Sequence, residues 1–187
     1  FKHRRKNLHE FIGLNQRDLI YLVTPDRFVN GEKDNDIIET LREKAINRNN
    51  GASRHGGDLQ GLTNQLDYIK SLGATAVWTN PILINDMPVY SYHGYAITDH
   101  YKVDPRFGGM KAYKKYSREL HKRKMKLVMD MIPNHMGTYN RLFQNPPDSN
   151  WINSWPNNSD LDKDGHVADA IITNHRYASI YDPYACL

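Results

Sequence analysis

Short apolar runs alternate with amphipathic stretches through the middle of the chain. Residues 18–24, 74–78 and 126–131 are apolar runs of strand length, and each is followed closely by a proline. Residues 59–72 and about 109–123 instead repeat apolar positions every three or four residues, which predicts helices. Strands that alternate with helices of this length indicate βαβ units around a parallel sheet, so the predicted fold class is α/β.

Both predicted helices have a continuous apolar face. The face of the first helix consists of Leu59, Leu62, Leu66, Ile69 and Leu72. The face of the second helix consists of Met110, Tyr113, Tyr116 and Leu120. Gly73 suits the left-handed conformation that often ends a helix. Pro133 is expected to end the third strand, because proline removes a backbone donor.

Two long connections, residues 79–105 and 132–158, follow the second and third strands and are rich in polar and aromatic residues. Long loops in a compact domain are usually functional. Because sites in parallel α/β folds gather at the carboxyl ends of the strands, we expect Asp130, Asn134 and His135 at the mouth of the sheet. A nucleotide-binding fold is disfavoured, since no glycine-rich phosphate loop follows the first strand.

The segment from Asp130 to His135 has two interpretations when it is taken alone. Its polar side chains could hold a polar ligand or a metal, or Asp130 could cap a turn while His135 bonds locally; this segment by itself slightly favours the second. Residues 92–95 (Tyr-His-Gly-Tyr) shift the balance. An aromatic ring beside a histidine on a glycine-containing turn suits stacking on a pyranose and bonding to its hydroxyls. Aromatic packing within the loop is the alternative.

Four segments resemble the α-amylase superfamily, glycoside hydrolase family 13, and they occur in its order and spacing. Asp130-x-x-x-Asn134-His135 is similar to the family's first signature region, and Tyr92 to Gly108 to the loop after its second strand. Pro25-Asp26-Arg27-Phe28-x-Asn30-Gly31 resembles the end of its first strand. Arg54-His55-Gly56-Gly57-Asp58-Leu59-x-Gly61 resembles the entry to its first barrel helix. The resemblance is nearest to the cyclomaltodextrinase and neopullulanase group.

The resemblance implies a fold and an activity. Residues 17–138 would form about three βα units of a (β/α)8 barrel, residues 139–187 the start of the inserted domain B after strand three, and residues 1–16 a linker from an upstream domain. The family hydrolyses α-1,4-glucosidic bonds in starch or maltodextrins with retention, using two carboxylates on later strands. No such segment occurs here, so we expect an inactive fragment that needs the rest of the barrel or a second copy. A non-catalytic carbohydrate-binding or structural homologue is the alternative.

The resemblance also implies roles for individual residues. Tyr95 would stack under the sugar at the cleavage subsite. His93 and His135 would bond its hydroxyls, and Asp130 would organise the catalytic floor. Asn134 ligates calcium in many α-amylases but not in the neopullulanase-like group, so its role stays open.

A loop of oxygen-bearing residues at positions 30–36 suits Ca²⁺, which takes six to eight oxygen ligands. The resemblance adds the Gly-Gly-Asp segment to this loop, as in neopullulanase-like relatives. The implied ligand set is Asn30, Glu32, Asn35, Asp36, Gly56 and Asp58. A solvated acidic turn is the alternative.

A second calcium candidate is the run from Asp160 to Gly165, which matches the first half of an EF-hand loop. The twelfth position is Ile171 rather than glutamate, although Asp169 could substitute. A plain polar turn explains the run equally well.

Composition and charge exclude several classes of protein. In this chain of 187 residues, 39% are hydrophobic and 25% charged, which argues against disorder. No apolar run is long enough to span a membrane. The net charge of +4 is mild, and we expect the basic cluster at residues 2–6 to be a solvated linker rather than a nucleic-acid contact. Cys186 is the only cysteine, so no internal disulfide forms.

Two expectations concern the origin of the protein. The chain does not begin with methionine, which suggests that further sequence precedes it. The resemblance to starch-utilisation enzymes suggests that the protein is periplasmic or secreted.

Overall fold

The computed structural model describes residues 13–133 and 135–148. These residues form five strands and four α-helices, joined by short 3₁₀ turns. The strands are β1 (Ile20–Val23), β2 (Ala76–Thr79), β3 (Leu83–Ile84), β4 (Asp99–Val103) and β5 (Lys126–Met129). The helices are α1 (Leu59–Asn64), α2 (Leu66–Ser71), α3 (Gly109–Lys122) and α4 (Arg141–Gln144).

The main sheet is parallel and has the strand order β1-β2-β5. Its register places Tyr21 beside Val77, and Val77 beside Leu127. These side chains share one face because alternate residues of a strand point the same way. That face packs against the helices, whose buried side chains include Leu59, Leu62, Leu66, Ile69, Tyr116 and Leu120. The predicted α/β class and parallel pairing are therefore confirmed.

The predicted helix over residues 59–72 is two helices rather than one. Gln65, with φ −103° and ψ 8°, separates α1 from α2. Leu72 lies beyond the end of α2 and is 48% exposed, so its predicted place on the core face is wrong. Gly73 follows with φ 88°, the left-handed value expected of a residue that ends a helix.

The second predicted helix is nearly correct in its bounds, but Met110 is 45% exposed instead of buried. It lies in the first turn of α3, ahead of the part of the helix where Tyr116 and Leu120 pack. The predicted connection 79–105 contains an antiparallel hairpin that the sequence analysis did not predict. Strands β3 and β4 pair there irregularly, so no regular alternation marks them.

The face of the sheet opposite the helices carries large apolar side chains. Leu22 is 59% exposed, and its neighbour in the register, Trp78, is 37% exposed. Ile20 lies on the same face of β1 and is also exposed. No described residue covers these side chains sufficiently to bury them, so this apolar sheet face is open within the described part of the chain.

Candidate functional site

The site begins with two side chains at the carboxyl ends of neighbouring strands. Asp130 directly follows β5, and Trp78 lies near the end of β2. The indole Nε1 of Trp78 donates to Oδ2 of Asp130 at 3.1 Å. The hydroxyl of Tyr95 donates to the same oxygen at 3.2 Å. Two donors on one oxygen fix the direction of the Asp130 carboxylate.

His93 and His135 join this group through Tyr95. The His93 ring stacks on the Tyr95 ring, with 5.9 Å between centroids and 22° between planes. The amide N–H of Tyr95 donates to Nδ1 of His93 at 2.9 Å, so a neutral His93 carries its proton on Nε2. Nε2 of His135 lies 3.2 Å from the carbonyl oxygen of Tyr95, which can only accept. The four residues that the resemblance assigned to sugar binding therefore form one contact chain.

Tyr95 remains a neutral donor within this group. Its partial burial, followed by the charge and the hydrogen bond of Asp130, raises the pKa of the phenol above its ordinary value. Ionisation next to a carboxylate would place two negative charges about one hydrogen bond apart. The phenol ring can therefore serve as a flat, uncharged surface over a broad range of pH.

The turn that carries His93 depends on close backbone contact. Gly94 has φ 83°, and a β-carbon there would lie 2.0 Å from the carbonyl oxygen of Pro81. Asn80 Nδ2 donates to the carbonyl oxygen of His93 at 3.3 Å. On the other side, the guanidinium of Arg27 lies 3.8 Å from the centre of the Tyr92 ring. The turn is thus held between the ends of β1 and β2.

The residues of the predicted calcium loop also come together. Asn30 Nδ2 donates to Oδ1 of Asp36 at 2.7 Å, and Asn35 Nδ2 donates to Oδ2 of Asp58 at 3.1 Å. Gly56 adjoins the first pair, because a β-carbon there would lie 2.7 Å from Oδ1 of Asp36. Glu32 is exposed and contributes its backbone N–H to Asp58 at 2.8 Å.

The oxygens of this loop suit a hard cation. Oδ1 of Asn30 and Oδ1 of Asn35 are buried and have no hydrogen-bond donor in the described part of the chain. Within the described ranges, no lysine, arginine or histidine nitrogen lies within salt-bridge distance of Asp36 or Asp58. Among the residues that the structure describes, no three His, Cys, Asp or Glu side chains converge as a metal group either. A cation would therefore need the amide and backbone oxygens as well, which is how Ca²⁺ is commonly bound.

Comparison with known proteins agrees with this geometry. The family model described as the alpha amylase catalytic domain matches residues 22–169. The chain belongs to the alpha-amylase catalytic domain family. Alpha-amylase 2 of Dictyoglomus thermophilum is 36% identical over 129 residues, which are 69% of this chain and 20% of that protein. Neopullulanase 2 of Thermoactinomyces vulgaris is 34% identical over 64% of this chain and 20% of its own length.

Solved structures give the same family. The chain resembles an Anoxybacillus alpha-amylase with a TM-score of 0.67 and 38% identity, over 74% of this chain and 29% of that one. It resembles the alpha-amylase of Geobacillus thermoleovorans in complex with acarbose with a TM-score of 0.60 and 37% identity, over 77% and 30% of the two chains. The chain thus spans about a fifth of the length of the curated relatives named above.

Two contacts of this alpha-amylase domain were not predicted from its sequence. Trp78 was placed in a strand without a role, and Arg27 was noted only as part of a motif. Alternation within β2 does not reveal the contact of Trp78, because that contact depends on the register that pairs Trp78 with Val128, two residues before Asp130. No local pattern pairs Arg27 with Tyr92, because their contact depends on how two distant loops meet.

Several predictions lie outside the described residues. Asn134, the Asp160–Gly165 run with Asp169 and Ile171, Cys186 and the basic cluster at 2–6 belong to that group. Among the described residues, no helix is long and apolar enough to cross a bilayer.

Proposed function

We propose that this chain forms the first part of the barrel and of the sugar site of an α-glucan hydrolase that cleaves α-1,4-glucosidic bonds with retention. The contact chain of His93, Tyr95, Asp130 and His135 carries this proposal. It combines an uncharged aromatic surface with a fixed carboxylate and two imidazoles, which is the combination that binds a pyranose ring and its hydroxyls. A relative in complex with acarbose supports a sugar-like ligand.

The open apolar sheet face supports the proposal that this chain is part of a barrel. A (β/α)8 barrel fills its interior with side chains from all eight strands, and the sheet described here has three parallel strands. We propose that Ile20, Leu22 and Trp78 face that interior and are covered by the remaining strands or by a second copy. Residues 17–138 would then be barrel, and residues 139–187 the start of domain B.

The chemistry requires two further carboxylates. Retaining hydrolysis uses a nucleophile and an acid/base about 5 Å apart. We assign neither role to Asp130, because its Oδ2 already accepts from Trp78 and Tyr95. Asp130 instead presents a fixed negative charge at the floor of the site. The 187-residue chain alone is therefore not expected to hydrolyse starch.

We further propose that the protein works in the periplasm or outside the cell. We also propose calcium as its resident cation. Side-chain oxygens of Asn30, Asn35, Asp36 and Asp58, with the carbonyl of Gly56, would hold it, and Glu32 would contribute from the rim. When bound, Ca²⁺ supplies a positive charge that compensates two carboxylates lacking a cationic partner. The loop lies next to the Gly56–Asp58 segment, which leads into α1. A cation that orders the loop would therefore also stabilise the start of α1.

Isothermal titration with a sulfur-linked analogue of maltoheptaose, which resists hydrolysis, tests the sugar site in the protein at its full natural length. Tyr95→Ala should weaken binding about tenfold, because it removes the ring on which the sugar stacks. Tyr68→Ala is the matched control, since Tyr68 is an exposed tyrosine on α2. Equal affinities for wild type and Tyr95→Ala would contradict the assignment, and absence of glucan binding by the wild type would contradict the proposed function.

A further inference from the structure

Ser91 opens the turn that carries the sugar-binding residues, and all its polar groups are held by other elements. Its N–H donates to Oε2 of Glu43 at 2.7 Å. Its hydroxyl accepts from Nη1 of Arg106 at 3.0 Å. Its carbonyl oxygen accepts from Nδ2 of Asn85 at 3.2 Å. Ser91 itself is 3% exposed, so these hydrogen bonds are shielded from solvent.

The three partners of Ser91 belong to one buried polar cluster. Arg106 forms a two-pronged ion pair with Asp104, with Nε to Oδ1 at 3.0 Å and Nη2 to Oδ2 at 2.7 Å. Arg106 Nη2 also donates to the carbonyl oxygen of Asn85 at 2.7 Å. Glu43, Asn85, Asp104 and Arg106 are all buried. The cluster therefore connects the segment around residue 43, strand β3 and the turn after β4 to one serine.

Such a cluster is costly as a source of stability. The three charged side chains, Glu43, Asp104 and Arg106, lose their hydration on burial, and well-packed apolar residues often stabilise a fold at least as well. What a buried ion pair adds is direction, because each bond has a required geometry. Here these bonds fix the orientation of Ser91, the residue directly before Tyr92 and His93. Tyr90, on the other side, has φ 58°, a left-handed conformation that residues other than glycine seldom adopt.

We propose that Glu43 is a positioning residue for the sugar site, acting through Ser91 on His93 and Tyr95. The proposal rests on the sugar-binding function proposed above. Loss of the Glu43 carboxylate leaves the Ser91 N–H buried without its acceptor. The turn then shifts to hydrate that group and moves His93, whose ring stacks on Tyr95. Displacements of about 1 Å are sufficient to weaken recognition substantially.

The test compares Glu43→Ala with Glu43→Gln in the full-length protein, by titration with the same sulfur-linked analogue of maltoheptaose. Glu43→Ala should weaken binding about tenfold, the equivalent of one lost buried hydrogen bond. Glu43→Gln retains an amide oxygen that accepts from Ser91 and should recover most of the affinity. Glu39→Ala is the matched control, because Glu39 lies in the same segment and its side chain is 82% exposed.

The outcomes separate this proposal from the one on which it rests. If wild type and Glu39→Ala bind glucan while folded Glu43→Ala binds equally well, the positioning role is wrong and the sugar site stands. If the wild type does not bind, the proposed function fails as well. If Glu43→Ala does not fold, Glu43→Met takes its place, because it fills a similar volume without an acceptor for the Ser91 N–H. It should weaken binding about tenfold as well, and unchanged binding by the folded variant would overturn the proposal.

Discussion

At the scale of single residues, Asp58 joins α1 to the loop of residues 30–36, the proposed calcium loop. Its carboxylate is fully buried and accepts from the N–H groups of Gly31, Glu32 and Gly61, and from Nδ2 of Asn35. Four donors stabilise one negative charge, but the neighbouring Asn30 and Asn35 oxygens are left without donors. A bound cation would be coordinated by those oxygens and would fix Asn30 and Asn35 relative to each other.

Calcium should raise the thermal stability of the protein, and the rise should depend on Asp36. At a concentration about 100 times its dissociation constant, Ca²⁺ is expected to raise Tm by about 5–10 °C, measured by scanning calorimetry with EDTA as reference. Asp36→Asn should lose most of this rise. Asp34→Asn, which alters an exposed carboxylate of the same loop, should keep it. Equal Tm values in calcium and EDTA would contradict the site.

At the scale of elements, Asp18 links the amino ends of the three parallel strands. Its carboxylate accepts from Nζ of Lys126 at 2.6 Å, at the start of β5. It also accepts from Oγ1 of Thr75 at 2.8 Å, just before β2. The bonds to Lys126, Asn15 and Thr75 lower the pKa of Asp18 to about 2 from its ordinary value of 3.8.

This lowered pKa gives a stability that depends on pH. The stabilisation by Asp18 is fully present above about pH 4 and is lost as the pH falls towards 2. Asp18→Asn should lower the urea midpoint at pH 7 and flatten its fall between pH 4 and 2, and Lys126→Met should do the same. The pKa values of Asp67 and Glu119 are also lowered, chiefly by hydrogen bonds to Arg123 and Lys122 respectively. These two carboxylates should leave a smaller fall of the urea midpoint with pH in both variants. If the urea midpoint of both variants falls between pH 4 and 2 as steeply as that of the wild type, this account is contradicted.

The elements also show what sequence could and could not predict. The three parallel strands follow from short apolar runs and both helical regions from apolar periodicity, and each of these patterns reports burial along one element. The break at Gln65 and the hairpin of β3 and β4 do not, because neither interrupts that periodicity in a recognisable way. His93, Tyr95, Asp130 and His135 were identified through motif resemblance. The contacts of Trp78 and Glu43 depend on long-range pairing, which no local pattern encodes.

At the scale of the whole molecule, the described residues form a parallel sheet with one covered and one open face. The helices cover Val77 and its neighbours, whereas Leu22 and Trp78 remain exposed on the other side. The residues proposed for the sugar site follow the carboxyl ends of β2 and β5, where a closed barrel would collect further side chains from its other strands. The open face and the partial site therefore have one explanation: both are completed when the barrel closes.

The most direct test of a retaining α-glucan hydrolase is the anomeric form of the first product. The full-length protein would be mixed with maltoheptaose, and the newly formed reducing ends followed by proton NMR before mutarotation. The account predicts that the α-anomer accumulates first, because a covalent intermediate preserves the configuration. Initial accumulation of the β-anomer, or no cleavage of the glucan, would contradict it.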